Sequence, residues 1–494
     1  MQSTTARLEI RCGLAGLLVL LAGCAVGPDF SRPQVPQADR YTADAQPVQT
    51  AADGQSQHFG PVGGPATDWW RLFGSPQLDG VVDEALAGNP GLQAAQASLR
   101  QSQDSLRAGY GVFFPQAAGA AGAARERYSP QAMGQQGSPG IFNLFTLSAS
   151  VSYALDVFGG ERRAVEGLQA GVDLQQGALE AAYLSLTANV VNAVVAAGAY
   201  RAEIDSTREL IDALRQQVHL AEVQADAGTG PYAAVLSLRG QLATQQAGLP
   251  PLQQKLEQTG DLLATLAGHA PSEWKPPQVG LADLRLPADI PVSLPSELVG
   301  RRPDILVAEA QLHAASASVG VATAAMLPSI KLTGSYGAEN GSSSQLFRGG
   351  SAVWGVAADL STPLFEGGTL WYQRKAAVEA FRQSQANYRQ TVLSAFAQVA
   401  DSLHALDHDA ETLAAQAAAL DAAQQALRLV QANYQAGTAG YVQVLAADLQ
   451  YRQAQIGYLQ AKALRLQDTV ALFAALGGGW DGHTAPALPV QGGG

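Results

Sequence analysis

Two long stretches of this chain carry an unbroken seven-residue apolar period, and one is a copy of the other. In the first, Tyr183, Val190, Ala197, Ile204, Ile211, Val218 and Ala225 fall at strict intervals of seven. Leu179, Leu186, Ala193, Tyr200 and Leu214 form a second set displaced by four. In the second stretch Val392, Val399, Leu406, Leu413, Leu420, Leu427 and Tyr434 repeat the spacing, with Phe396 and Leu403 beside them. Sustained heptads demand helices that pack along their whole length with a left-handed local twist. A helix from Gly160 to about Asp226 would run roughly 100 Å at about 1.5 Å per residue, which does not suit a compact globule. The many alanines predict close packing among several helices rather than a solvated two-stranded coil.

The duplication extends beyond the heptads. "GNPGLQAAQASL" from Gly88 is echoed by "RRPDILVAEAQL" from Arg301, an offset of 213 between Pro90 and Pro303. "VFGG" ending at Gly160 returns as "LFEGG" ending at Gly368. "QADAGTGPYAAVL" returns as "NYQAGTAGYVQVL", an offset of 209 between Gly228 and Gly437. Landmarks in one order at nearly one offset mark two copies of a single unit. In each copy Gly228-Thr229-Gly230-Pro231 or Gly437-Thr438-Ala439-Gly440 stops the long helix, because glycine suits the position just past a helix end. A second helix, Tyr232 to about Ala267 or Tyr441 to about Leu476, then returns antiparallel. The hairpin tips are expected at one end of a long rod.

Strand signals precede each long helix. In "FNLFTLSASVSYALDVF" the residues Phe145, Leu147, Ala149, Val151, Tyr153 and Leu155 share one face, and Thr146, Ser148, Ser150, Ser152 and Ala154 the other. An apolar face opposite a small polar one suits a strand with lipid outside and water inside. "SAVWGVAADLSTPLF" repeats the idea, with Trp354, Val356 and Ala358 against Val353, Gly355, Ala357 and Asp359. Partners are expected at Gln116 to Arg127 and at Ser329 to Ala338, joined through polar loops. Each copy then supplies one hairpin and the chain four strands. Four strands cannot close a barrel, and an open edge cannot lie in lipid, so the chain must assemble.

The ends set the compartment. Arg7 and Arg11, the apolar run Leu14 to Ala22 and the small residues Ala22-Gly23 have the order of a secretory signal, too short to remain as a spanning helix. Leu21-Ala22-Gly23-Cys24 resembles a bacterial lipobox, which implies cleavage before Cys24 and acylation of its thiol and new amine; an ordinary signal with an incidental cysteine is the alternative. Ala25 after the cysteine resembles lipoproteins sorted to the outer membrane. Cys12 is removed with the signal, so no disulfide framework is expected. The formal charge moves from −12 to −13 when two arginines and one glutamate leave with the signal. An acidic chain of this kind is no nucleic-acid partner. After the signal no uninterrupted apolar run reaches about 18 residues, the length of a spanning helix. The expected divisions are the signal (1–23), a lipidated tether (24–66), a first repeat (67–285), a second repeat (286–476) and a flexible tail (477–494).

"CAVGPDFSRPQVP", "DWWRLFGSPQLDGVVDEALAGNP", "LPSELVGRRPDILVAEAQL", "MLPSIKLTGSYG", "TPLFEGG" and "YQAGTAGYVQVL" together resemble the TolC-like outer-membrane efflux ducts, in the lipoprotein subgroup that serves resistance-nodulation-division pumps. The resemblance implies a mainly α protomer with four β-strands, three copies closing a 12-stranded β-barrel continuous with an α-helical barrel, and an equatorial region around Leu294 to Val299. It implies a homotrimer that passes small-molecule cargo from a periplasmic adaptor and an inner-membrane pump to the exterior. The adaptor would meet the tips at Gly228, Thr229, Gly230, Gly437, Thr438 and Ala439. Trp69 and Trp70 are expected as buried anchors, and Arg301-Arg302-Pro303-Asp304 as a helix start whose arginines bond nearby carbonyls or carboxylates.

In such ducts carboxylate rings and a Tyr-to-Arg link hold the tips closed. Here the tyrosine falls on Tyr434, but the basic partner falls on Ala439 and the carboxylates on Gln443 and Ala446. Closure is therefore expected to rest on apolar packing at Leu445 and contacts around Tyr434, with some charge from Asp448. No metal cluster, nucleophile elbow or phosphate loop is found, so no enzyme and no cofactor beyond the lipid on Cys24 are expected. His404 and His408 are four apart but make only half a metal site. Two other readings keep parts of this pattern: a duct for protein secretion, and a coiled-coil surface lipoprotein without transport.

Overall fold

A computed structural model describes residues 25–478 apart from 35–37, 45, 61–65 and 135. The signal, Cys24 and the tail beyond residue 478 lie outside the described residues. In chain order the elements begin with β1 (Gln49–Ala52), β2 (Gln55–Gly60), α1 (Pro76–Gly88), α2 (Pro90–Gly109), β3 (Gln116–Tyr128) and β4 (Gly140–Leu155). They continue with α3 (Gly160–Asp226), α4 (Tyr232–Leu266), β5 (Asp289–Pro291), the short α5 (Pro295–Leu298) and α6 (Pro303–Ala324). The last are β6 (Ser329–Asn340), β7 (Ala352–Ser361), α7 (Thr369–Gln435) and α8 (Tyr441–Ala475). The duplication is visible in the lengths: α3 and α7 have 67 residues each, and α4 and α8 have 35 each. An apolar stretch of α3 is long enough to cross a bilayer by length and composition, yet 56% of it is buried inside the protein. Val190, Val191 and Val195 within it are fully buried.

The chain divides into two compact units, each drawn from three segments. Of the described residues, one unit contains 25–33, 99–174 and 308–388. Its centre is a four-stranded sheet in the order β3-β4-β6-β7 with every pair antiparallel. The residues after Cys24 are not a loose tether here. Val26 donates its N–H to the Phe158 carbonyl at 2.9 Å. The buried Arg163 donates to Asp29 at 2.6 Å and to Glu166 at 2.7 Å. Phe30 stacks on the His313 ring at 4.3 Å, and Arg32 pairs with Glu309 at 2.7 Å. Gly27, at φ +95°, lies against the backbone of Gly320, and a Cβ at either position would collide.

The other unit contains the described residues of 34–98, 175–307 and 389–478. Here the rest of the expected tether forms structure: β1 and β2 pair as a hairpin, and β2 pairs in parallel with β5. Asp53 and Gly54 turn the hairpin with φ of 52° and 72°, the doubly left-handed turn that Asp-Gly favours. Trp69, fully buried, stacks on Phe473 at 5.2 Å, and Trp70 leans on Tyr183 at 6.3 Å. Arg302 donates to the Ala475 carbonyl at 2.9 Å, to Gln398 at 2.6 Å and to Asp304 at 2.6 Å. It ties the start of α6 to α7 and to the end of α8, whose last carbonyls lack intrahelical partners.

A buried polar knot fastens β1 and β2 to α7 and α8. Arg465, at 0% exposure, donates to the Leu406 carbonyl at 3.1 Å and to Thr50 Oγ1 at 2.7 Å. Gln57 donates to Thr469 at 3.3 Å, and the Tyr458 hydroxyl bonds Asp53. Asp409 lies in the same knot. Burial pushes its carboxyl up to about 7, helped by hydrogen bonding and charge from Asp468 and opposed by Arg465. The native carboxyl thus keeps its proton in a range where a free aspartate, of pKa about 4, has lost it. Its contribution to stability is present at low pH and is lost as pH rises through about 7. Asp409→Asn should therefore raise the unfolding temperature by a few degrees at pH 8. The gain should shrink towards pH 4 in thermal scans across that range.

Candidate functional site

Residues paired across antiparallel strands share a face, so the register assigns both faces of the four-stranded sheet. Leu147 pairs with Ala338, Ala149 with Tyr336, Val151 with Gly334 and Tyr153 with Leu332. Tyr336 in turn pairs with Trp354, Gly334 with Val356 and Ile330 with Leu360. This face is apolar and uncovered, with Trp354 at 76% and Val356 at 82% exposure. An apolar surface of this kind on a single chain marks a membrane or partner contact. Ser148, Ser150 and Ser152 pair with Gly337, Ser335 and Thr333 on the opposite face, where Lys331 also pairs with Asp359. The alternation is the one expected of a lipid-facing and a water-facing surface. Among the described residues, the outer edges of β3 and β7 have no strand partner.

The long helices form a layer with the same kind of open edge. Arg452 of α8 pairs with Glu209 of α3 at 2.5 Å, and Tyr441 bonds Gln216 at 2.8 Å. Arg239 of α4 pairs with Glu222 of α3 at 2.6 Å, while Arg465 joins α8 to α7. These links place α3 and α8 in the middle and α4 and α7 at the rims. Leu236 and Leu262 on α4 and Leu393 and Leu429 on α7 are exposed.

The two hairpin tips have one construction. Gly228 and Gly437 adopt φ of 70° and 75°, which glycine reaches without strain. Thr229 returns its N–H to the Gln224 carbonyl at 2.8 Å and its hydroxyl to the same oxygen at 3.0 Å. Thr438 does the same to Asn433, at 2.9 and 3.0 Å. Gly230 and Ala439 add their N–H groups to those carbonyls at 3.0 and 3.3 Å. Each threonine thus closes two donors onto one orphan carbonyl, which makes a blunt tip with exposed, mostly uncharged residues.

The expected gate residues Tyr434, Leu445 and Asp448 lie in different surroundings. Tyr434 is exposed beside Tyr441, with ring centroids 5.5 Å apart. Leu445 is only 4% exposed within a single chain, so its apolar side chain packs inside the helix layer. Asp448 is not a free charge either, because Arg452 Nε lies 3.4 Å away and Arg452 also holds Glu209. Gln443 accepts the Gly440 N–H at 3.2 Å and so caps α8. Sequence reasoning missed the Arg452 link, since its partners lie 4 and 243 residues away and only the helix packing joins them. It also missed the β1–β2 hairpin, whose Asp53-Gly54 pair was a readable turn signal. His404 and His408 are exposed on α7, and among the described residues no group of three or more ligand side chains gathers for a metal.

Two expectations follow for the tip. Arg452→Ala should speed amide exchange in the first turns of α8 about fivefold, as loss of a roughly 1 kcal/mol tie predicts. Leu445→Ser should lower stability by about 3 kcal/mol per chain, the cost of an emptied apolar site. Hydrogen–deuterium exchange and thermal unfolding measure the two.

The sequence profile of the outer membrane efflux protein family matches residues 81–269 and 294–478, one match in each repeat. The pyoverdine export outer membrane protein OpmQ of Pseudomonas aeruginosa is 32% identical over 421 residues, 83% of this chain and 87% of that one. The probable outer membrane lipoprotein SilC of Salmonella typhimurium is 27% identical, over 94% of this chain and 97% of its own length. The solved outer-membrane channel OprN superposes with a TM-score of 0.81 at 27% identity, covering 92% of this chain and all of that structure. CusC superposes with a TM-score of 0.75 at 25% identity, over 92% of this chain and 99% of that structure. The chain belongs to the outer membrane efflux protein family and is an outer-membrane efflux channel.

Proposed function

We propose that three copies of this chain close one passive duct, the outer-membrane component of a tripartite efflux pump. The observation that carries the reading is the four-stranded sheet with two unpaired edges and one face that is apolar from Leu155 to Phe145 of β4. In lipid each unpaired backbone group costs several kcal/mol, so β3 of one copy must meet β7 of the next. Three copies supply twelve strands, an even number within the range of closed outer-membrane barrels. Leu364 and Phe365, at 92% and 90% exposure just after β7, supply apolar surface for the neighbouring copy to cover. The exposed rims of α4 and α7 offer the same kind of contact in the helical layer.

Cargo would pass from a periplasmic adaptor and an inner-membrane pump, the adaptor meeting the tips at Gly228 to Gly230 and Gly437 to Ala439. The relatives titled efflux pump outer membrane proteins, among them TtgC of Pseudomonas putida, support that partnership. The chain acts by conduction and not by catalysis. Cys24 carries the lipid anchor, and residues 26–32, docked on the β-strand unit, hold the anchored end against the protein that enters the membrane. The apolar strand face weighs against a coiled-coil lipoprotein without transport.

Two measurements test this. Purified protein in detergent should show a trimer by native mass spectrometry and ion conductance in a planar bilayer. A stable monomer, or a trimer that never conducts, would overturn the reading. Cys24→Ser should abolish labelling by a radioactive fatty acid while leaving conductance intact, because the strands insert without the anchor.

A further inference from the structure

Six charged side chains lie in the four-stranded sheet: Arg125, Glu126, Arg127, Lys331, Glu339 and Asp359. The register sorts them sharply. Glu126 pairs with Phe142, Glu339 with Thr146, and Lys331 with both Ala154 and Asp359, all on the face of the serines. Arg125 pairs with Asn143 and Arg127 with Ile141, on the apolar face of Leu147 and Val151. The two charges on the apolar face are therefore both arginines, and both stand at the same end of one strand. Both are exposed and neither belongs to an ion pair among the described residues.

Their height can be placed. From Leu155 to Phe145 the apolar face of β4 runs ten residues, roughly 34 Å at about 3.4 Å per residue. At a strand tilt of about 40° this covers roughly 26 Å along the membrane normal, the height of the apolar band of an outer-membrane barrel. Asn143 and Ile141, and with them Arg125 and Arg127, are the next positions outward. An arginine on the lipid face is costly at the midplane and nearly free at the interface. The two arginine positions, about 7 Å apart along one strand face, thus stand at headgroup level on a chain whose net charge is −12. A guanidinium binds phosphate with paired hydrogen bonds, and its stem can lie along acyl chains.

We infer that Arg125 and Arg127 form a binding site for the phosphate groups of a phosphorylated lipid in the outer leaflet. The site rests on the proposed membrane insertion of the sheet, with the β3–β4 and β6–β7 loops facing outward. Its repetition on each copy would surround the barrel with basic pairs at one level. The pair fixes the depth of the barrel and selects for anionic lipid around it.

The test uses the full-length protein in nanodiscs of phosphatidylcholine that contain either a doubly phosphorylated glucosamine-based lipid or its dephosphorylated form. Native mass spectrometry should find the phosphorylated lipid retained on the trimer and the dephosphorylated form largely lost. Arg125→Gln combined with Arg127→Gln should cut retention at least tenfold, and the paired lysine variant should restore part of it. Equal retention of the two lipids, or equal retention by wild type and the glutamine variant, would overturn the inference. So would a glutamine variant that no longer forms trimers, since the arginines would then serve the contact between copies. Conductance of the wild type separates the two levels: a conducting channel without lipid preference refutes only the site, whereas a silent one refutes the insertion on which it rests.

Discussion

Everything in this protein depends on the backbone groups at the edges of one small sheet. Inside the sheet, β4 and β6 satisfy their N–H and C=O groups on both sides, while β3 and β7 satisfy theirs on one. Water could satisfy the other side, but the apolar face around Tyr336, Trp354 and Val356 requires lipid, where water is absent. One chain cannot meet both demands. The helical unit has a parallel difficulty, because α3 buries Val190, Val191, Val194 and Val195 whereas α4 and α7 leave leucines uncovered at the rims. Each unit therefore leaves surface that the proposed assembly of copies would cover.

The duplicated halves are equal in length and unequal in detail. Leu236 and Leu445 occupy equivalent places after the two tips, yet the first is 55% exposed and the second buried. The helix α4 continues through Pro250 and Pro251, which lack the N–H that an interior position donates. Nothing similar interrupts α8, which lies between two helices and carries the Arg452 link to α3. A rim helix tolerates lost backbone bonds because part of its surface faces solvent in one chain, and a central helix tolerates them less. The copies have diverged where their neighbours differ.

The N-terminal segment binds the two kinds of structure to their surroundings by different means. Residues 26–32 are held by ion pairs and a stacked ring, and β1–β2 by the buried knot around Arg465. The second arrangement is the more sensitive. A fully buried arginine near a buried carboxyl depends on the few bonds it makes, to the Leu406 carbonyl and Thr50, and burial with Asp468 nearby favours the proton on Asp409.

Local signals in the sequence were enough to determine the helices, tips and strand pairs. Heptads report packing along one helix, glycines report where it stops, and strand alternation reports which side meets lipid, all within a few residues of one another. Two of the four strand starts, the first long helix and both returning helices could be placed almost to the residue on that basis. Distant contacts were decided by the tertiary structure alone. The docking of residues 26–32, the parallel pairing of β2 with β5 and the neighbours of Arg465 join positions hundreds of residues apart. Leu445 shows the reason most plainly: its apolar character and its place after a tip suit either a duct-lining plug or an internal contact. Sequence spacing cannot distinguish those two, because the choice depends on which helix lies beside α8, and only the folded layer puts α3 there.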